Sequence, residues 1–184
     1  MVSKSFILGY HGCDMSVAKS VASGKAELQK STNTYDWLGN GMYFWEDSAD
    51  RAMRWATENQ GGKIKKPAVL GAIIDLGNCL NLIDTEHLDL IKASHEAYVA
   101  LCQKAGLSLA VNAGHGMKAR YLDQAVFETL HRLRKADKEP PFDTVRAFFV
   151  EGEPLYPSSG LRAMDHIQIC VRNPASIIGY FLPR

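Results

Sequence analysis

Three short segments carry residue types from which a binding or catalytic site can be built: Tyr10-His11-Gly12, then Gly39-Asn40-Gly41-Met42-Tyr43-Phe44-Trp45, then Asp165-His166-Ile167-Gln168-Ile169. A histidine at the end of an apolar run can hydrogen-bond a hydroxyl. The glycine beside it permits close approach, so that backbone N–H and C=O can pair with a planar amide as a strand edge would. Tyr43 and Trp55, or Tyr35 and Trp37 from the preceding loop, offer rings to stack on a planar cation, each contact worth roughly 0.5–2 kcal/mol. Singly, the three segments read as a satisfied structural histidine, core packing and an edge glutamine; their order and surroundings make them a site. The chain contains no phosphate loop, dinucleotide glycine fingerprint, HExxH zinc pair or nucleophile elbow. Its four cysteines, Cys13, Cys79, Cys102 and Cys170, are widely spaced without a CxxC pair and are expected to be buried free thiols. Chemistry without a metal ion is therefore expected.

The elements that must position these residues follow from the pattern around them. Ser5 to Tyr10 is a short apolar run that suits a buried strand delivering a polar residue at its end. Asp14 is placed to cap a helix through Met15, Val17, Ala18, Val21 and Ala22, stopping near Gly24. Lys25 to Gly41 is polar and turn-rich with embedded aromatics, the composition of an ordered functional loop. Asp47 or Ser48 can cap a second helix through Ala49, Ala52, Met53 and Ala56, ended by Gly61-Gly62. Ala68 to Leu76 reads as a strand covered on both faces. Amphipathic helices are expected from Asp84 to about Ala105, with Gly106 as stop, and from about Tyr121 to Ala136. Between them the segment around His115, Lys118 and Arg120 reads as a solvated loop whose cations could meet an acidic partner. Val145–Val150, His166–Val171 and Ile177–Leu182 read as strands. With 184 residues, 46% of them hydrophobic, one domain spanning 1–184 is expected. Its class is α+β: a split, mixed and mostly antiparallel sheet with helices inserted over about 80–138. A net charge of +1 gives no overall attraction to nucleic acid or membrane. No apolar run is long enough for a signal peptide or a membrane span, so a cytoplasmic protein is expected.

The order of the motifs resembles the ADP-ribosyltransferases with an H-Y-E triad, the family of diphtheria toxin and the poly-ADP-ribose polymerases. There an apolar strand ends in His-Gly, a short helix and a glycine follow, and a Gly-x-Gly-x-Tyr-Phe strand leads into a helix. His11-Gly12, Gly24 and Gly39-Asn40-Gly41-Met42-Tyr43-Phe44 fall in that order, Trp55 stands about three turns beyond Tyr43, and Pro157-Ser158-Ser159-Gly160 matches a small-residue loop before the third strand. The resemblance spans both ends of the chain and leaves about Leu80 to Lys138 unmatched.

It implies NAD as the substrate, contacted by His11, Gly12, Tyr35, Tyr43, Trp55 and Ser159, with His11 and Tyr43 serving the reaction. As nicotinamide leaves, positive charge builds on the ribose, and a carboxylate near its 2′-hydroxyl stabilises it. The family uses a glutamate; the aligned residue here is Gln168, which brings no charge. Such a loss costs on the order of 3 kcal/mol, about a hundredfold in rate. Glu151 and Glu153, in the loop after the Val145–Val150 strand, are the carboxylates able to compensate, and Asp165 is a weaker choice that caps a turn. The activity implied is mono-ADP-ribosylation of a protein or nucleic-acid acceptor by a bacterial or phage-related toxin or antiphage effector, held in check by an antitoxin. The alternatives are an inactive NAD- or ADP-ribose-binding module, an NAD glycohydrolase, or an RNA 2′-phosphotransferase of similar fold, which lacks its expected arginines here.

Overall fold

The computed structural model describes residues 6–58, 64–114 and 118–184; Gly61-Gly62 and His115 lie outside them. Among the described residues eleven α-helices and strands follow one another: β1 (Phe6–Asp14), α1 (Met15–Ala22), β2 (Met42–Glu46), α2 (Ala49–Glu58), β3 (Pro67–Asp75), β4 (Cys79–Asn81), α3 (Thr85–Ala105), α4 (Tyr121–Ala136), β5 (Thr144–Phe149), β6 (His166–Val171) and β7 (Ile177–Phe181). The seven strands form a mixed sheet in the order β4-β5-β6-β2-β1-β3-β7. Only β4 and β5 are parallel; every other neighbouring pair is antiparallel. The class is α+β.

β1 does not stop at His11 but runs on to Asp14, because β3 pairs with it along its whole length, from Phe6↔Asp75 to Asp14↔Pro67. Asp14 then caps α1, accepting from the Ser16 N–H, and also accepts from the N–H groups of Lys65 and Lys66. These donors hold its carboxyl well below the usual carboxylate range. α2 begins at Ala49, with the Ser48 carbonyl accepting from Ala52, while Asp47 sits at φ 50° and donates its N–H to Leu8. α3 has the Asp84 cap and the left-handed Gly106 stop that its sequence announces. β4 falls at the start of the stretch expected to be helical; three residues are too few to leave a period.

Alternation along β2 sends Met42, Phe44 and Glu46 to one face and Tyr43 and Trp45 to the other, and cross-strand partners share a face. On the first face Phe44, Ile169, Ala72 and Ile74 are buried together, and α1 covers Cys13, Ala68 and Leu70. On the second, α2 packs Ala52 on Trp45 and Val69, while α4 lays Phe127 and Leu130 on Val145, Ala147 and Cys170. α3 backs α4, tied to it by the buried Ser94 hydroxyl, which donates to the Val126 carbonyl at 2.8 Å. β3 is buried on both faces, as its continuous apolar run requires. All four cysteines are free, Cys79 partly exposed. No helix among the described residues is long and apolar enough to cross a membrane.

Candidate functional site

Near the middle of the sheet β1 and β2 pair at only two positions, Gly9↔Glu46 and Tyr10↔Trp45. Beyond Tyr10 the strands part, and the His11 side chain bridges the opening by placing Nδ1 2.8 Å from the Tyr43 carbonyl. A carbonyl only accepts, so Nδ1 carries the proton and Nε2 is left with its lone pair. Burial lowers the pKa of His11, outweighing the opposing effect of that hydrogen bond, so the ring is neutral at pH 7. Leu8 turns its carbonyl toward the β2 side, where it accepts from Asp47. By strand alternation Gly12 turns its amide the same way, into the opening.

The opening has a roof. The Ala52 carbonyl of α2 lies 2.2 Å, and the Trp55 ring 3.2 Å, from where a Cβ on Gly12 would stand, so only glycine admits the helix. His11, Gly12 and Trp55 line a cleft of about 550 Å³ that continues along Ser16 and Ser20 of α1 to Gln29. That volume lies within the range of clefts that enclose a small ligand.

Across the opening, the second face of the sheet carries an aromatic and cationic cluster. Trp45 faces Trp55 at 5.9 Å and His166 at 6.4 Å between ring centres. The His166 ring stands 5.6 Å from Phe149, its Nδ1–H donates to the Met164 carbonyl, and burial lowers its pKa. Gln168 is the cross-strand neighbour of Trp45, on the same face as His166. Glu151 reaches over this face: its carboxylate is 2.8 Å from Arg51 Nη2 and 3.7 Å from both Lys118 Nζ and His166 Nδ1. Arg51, next in sequence to the Ala52 that rests on Gly12, stands 5.8 Å from the Trp45 ring centre, so one ion pair holds Glu151 beside the aromatic cluster.

The other expected site residues are placed as follows. Tyr43 points to the second face, away from His11, which packs on Phe44. Its hydroxyl donates to Gly39 O at 2.6 Å and accepts from Leu38 N at 2.8 Å, tying down the Gly39-Asn40-Gly41 turn. Glu128 of α4 holds the same turn, accepting from Asn40 N and from Arg172. Trp55 is on the cleft wall. Tyr35 is outside the cleft, its ring edge against Tyr121. Glu153 is exposed in the β5–β6 loop, and Ser159 caps a turn at the tip of that loop by accepting from Leu161 N. Asp165 clasps the two ends of the loop, accepting from Glu151 N and Arg162 N. Sequence reasoning gave Trp45, Arg51 and His166 no role, although Trp45 and His166 lie in two of the three segments it singled out. The signals were present: His166 and Gln168 are two apart on a strand, and Arg51 and Trp55 four apart on a helix, so each pair shares a face.

No protein-family model matches the chain. It is similar to an uncharacterized protein of Methanocaldococcus jannaschii, 23% identical over 185 residues, covering 91% of this chain and 83% of that relative.

Proposed function

We propose that the protein binds NAD in the cleft at the β1–β2 opening and transfers its ADP-ribosyl group to a macromolecular acceptor, one group at a time. The observation that carries this reading is the opening itself, with the neutral His11 presenting Nε2 as an acceptor and Gly12 presenting its amide under the roof of Trp55. His11 Nε2 receives a ribose hydroxyl, the Gly12 backbone pairs with the nicotinamide carboxamide, and Trp55 stacks on the ring. The bond from ribose C1 to the nicotinamide nitrogen breaks with its electron pair leaving on the nitrogen. The acceptor nucleophile then forms the new bond at that carbon and gives up its proton. Glu151, held by Arg51, supplies the negative charge that Gln168 lacks.

The test is purified protein with NAD, following free nicotinamide by chromatography with and without cell lysate as acceptor. Release that falls in a Glu151→Gln variant and persists in Glu153→Gln supports the reading; long polymer on the acceptor would refute single transfer. The uncharged Gln168 and the tied hydroxyl of Tyr43 favour a second reading, NAD or ADP-ribose binding without turnover. In the same experiment it gives bound NAD and no nicotinamide at all.

A further inference from the structure

Two segments far apart in sequence lie side by side on the second face. Trp37 Nε1–H donates to the Lys118 carbonyl at 2.8 Å, and Arg120 N–H to the Tyr35 carbonyl at 3.2 Å. The Arg120 guanidinium stands 4.7 Å from the Trp37 ring centre and 6.0 Å from that of Phe149. The Tyr35 ring meets Tyr121 edge-on at 6.1 Å. The product is a strip in which rings and cations alternate, Arg120 paired with Asp123 at 3.1 Å and Lys118 lying 3.7 Å from Glu151, and its outer members are open: Tyr35 is 47% exposed and the Lys118 side chain 62%. Behind the strip, Trp45 Nε1, Arg51 Nε, Arg120 Nε and His166 Nε2 are buried without a protein partner, four of the five such atoms among the described side chains.

Exposed flat rings set between cations fit one chemistry best. Each nucleobase has a face to stack on an aromatic ring, and each phosphate a charge for a nearby cation, whereas an acidic peptide would engage the cations and leave the rings bare. A duplex hides the base faces. We propose that this strip binds a short stretch of single-stranded nucleic acid, with an unpaired base on Tyr35 and phosphates at Lys118 and Arg120. Two cations and a net charge of +1 make this a local contact rather than a long electrostatic track. The inference stands without NAD; with NAD bound, Trp55 joins the strip's neighbourhood to the cleft, which makes the strand the natural acceptor.

The experiment is fluorescence anisotropy with labelled oligo-uridine and oligo-thymidine of about twelve nucleotides, a duplex of equal length and an oligo-glutamate peptide, at about 50 and about 200 mM salt. NAD binding is measured separately by calorimetry, so failure of either reading shows on its own. Expected is binding of single strands in preference to duplex and peptide. Tyr35→Ala weakens it at least about fivefold, while Tyr35→Phe, which keeps the ring, binds as the wild type does. Lys118→Ala lowers the slope of log affinity against log salt by about 0.7. Absence of oligonucleotide binding, equal or tighter binding of duplex or peptide, or unchanged affinity in Tyr35→Ala overturns the proposal.

Discussion

Replacing His11 separates a structural histidine from a working one. His11→Ala removes the donor to the Tyr43 carbonyl and leaves a partly buried acceptor without its partner. An unsatisfied group of this kind costs about 1–3 kcal/mol. In a chain of 184 residues each kcal/mol moves the melting temperature by about 2–4 °C, so a fall of about 2–12 °C is expected. His11→Asn is the informative partner, because an asparagine amide nitrogen takes the position of imidazole Nδ1 and can still donate to Tyr43. It has nothing in the place of Nε2. It should therefore melt close to the wild type yet bind NAD about two- to thirteenfold more weakly, the loss of one hydrogen bond of about 0.5–1.5 kcal/mol. Differential scanning fluorimetry and calorimetric titration with NAD read the two effects apart. An Asn variant that is stable and binds NAD like the wild type would show that His11 does no more than close the gap between the strands, and the assignment of Nε2 to the ribose would fall.

Gly12→Ala drives a methyl into the Ala52 carbonyl, and the cost of overpacking, about 1–3 kcal/mol, should appear as a lower melting temperature together with lost NAD affinity; unchanged values of both would mean that α2 does not rest on Gly12. Glu151→Gln should slow nicotinamide release about a hundredfold with NAD affinity nearly kept, whereas Glu153→Gln changes neither, and equal effects of the two would remove Glu151 from its role. Burial lowers the pKa of His11, His131 and His166, that of His131 to about 4, so protons bind the unfolded chain more readily than the folded one. Stability is then full above the ordinary histidine value of about 6.5 and declines as pH falls from there toward 4, and His131→Leu should flatten that decline in thermal melts. A wild-type melting temperature constant over that range would contradict the buried, neutral state of these rings.

Where a local rule decides an element, the sequence announced it. Asp14, Asp84 and Gly106 mark helix ends by capping chemistry alone, and β3 is a doubly covered strand whose apolar run has no competing explanation. That His11, Gly12 and Trp55 gather at one cleft was legible because a strand-end histidine, a glycine and a ring have little else to do together. The opposite wall was not, since it depends on partners brought from afar. Nothing in Glu151 itself distinguishes it from Glu153; Arg51, a hundred positions earlier, does. Tyr43 was read as a stacking ring, and its hydroxyl instead ties Leu38 and Gly39, a bond set by the path of the preceding loop. The end of β1 was misjudged for the same reason, because pairing with β3 overrides the local break at His11-Gly12.

The narrow seam between β1 and β2 also divides the molecule mechanically. β1 is zipped to β3 at nine positions and to β2 at two, so the hydrogen-bond network falls into one block of β7, β3 and β1 and another of β2, β6, β5 and β4. Opening such a sheet costs least where the fewest rungs break, which makes the seam its hinge line and the two blocks its cooperative units of exchange. The amides of Tyr10 and Trp45 should then trade hydrogen with solvent sooner than those at the centre of the β1–β3 ladder. A ligand that grips both lips would act as an added rung, slowing that exchange in both blocks at once and making the halves of the sheet breathe as one.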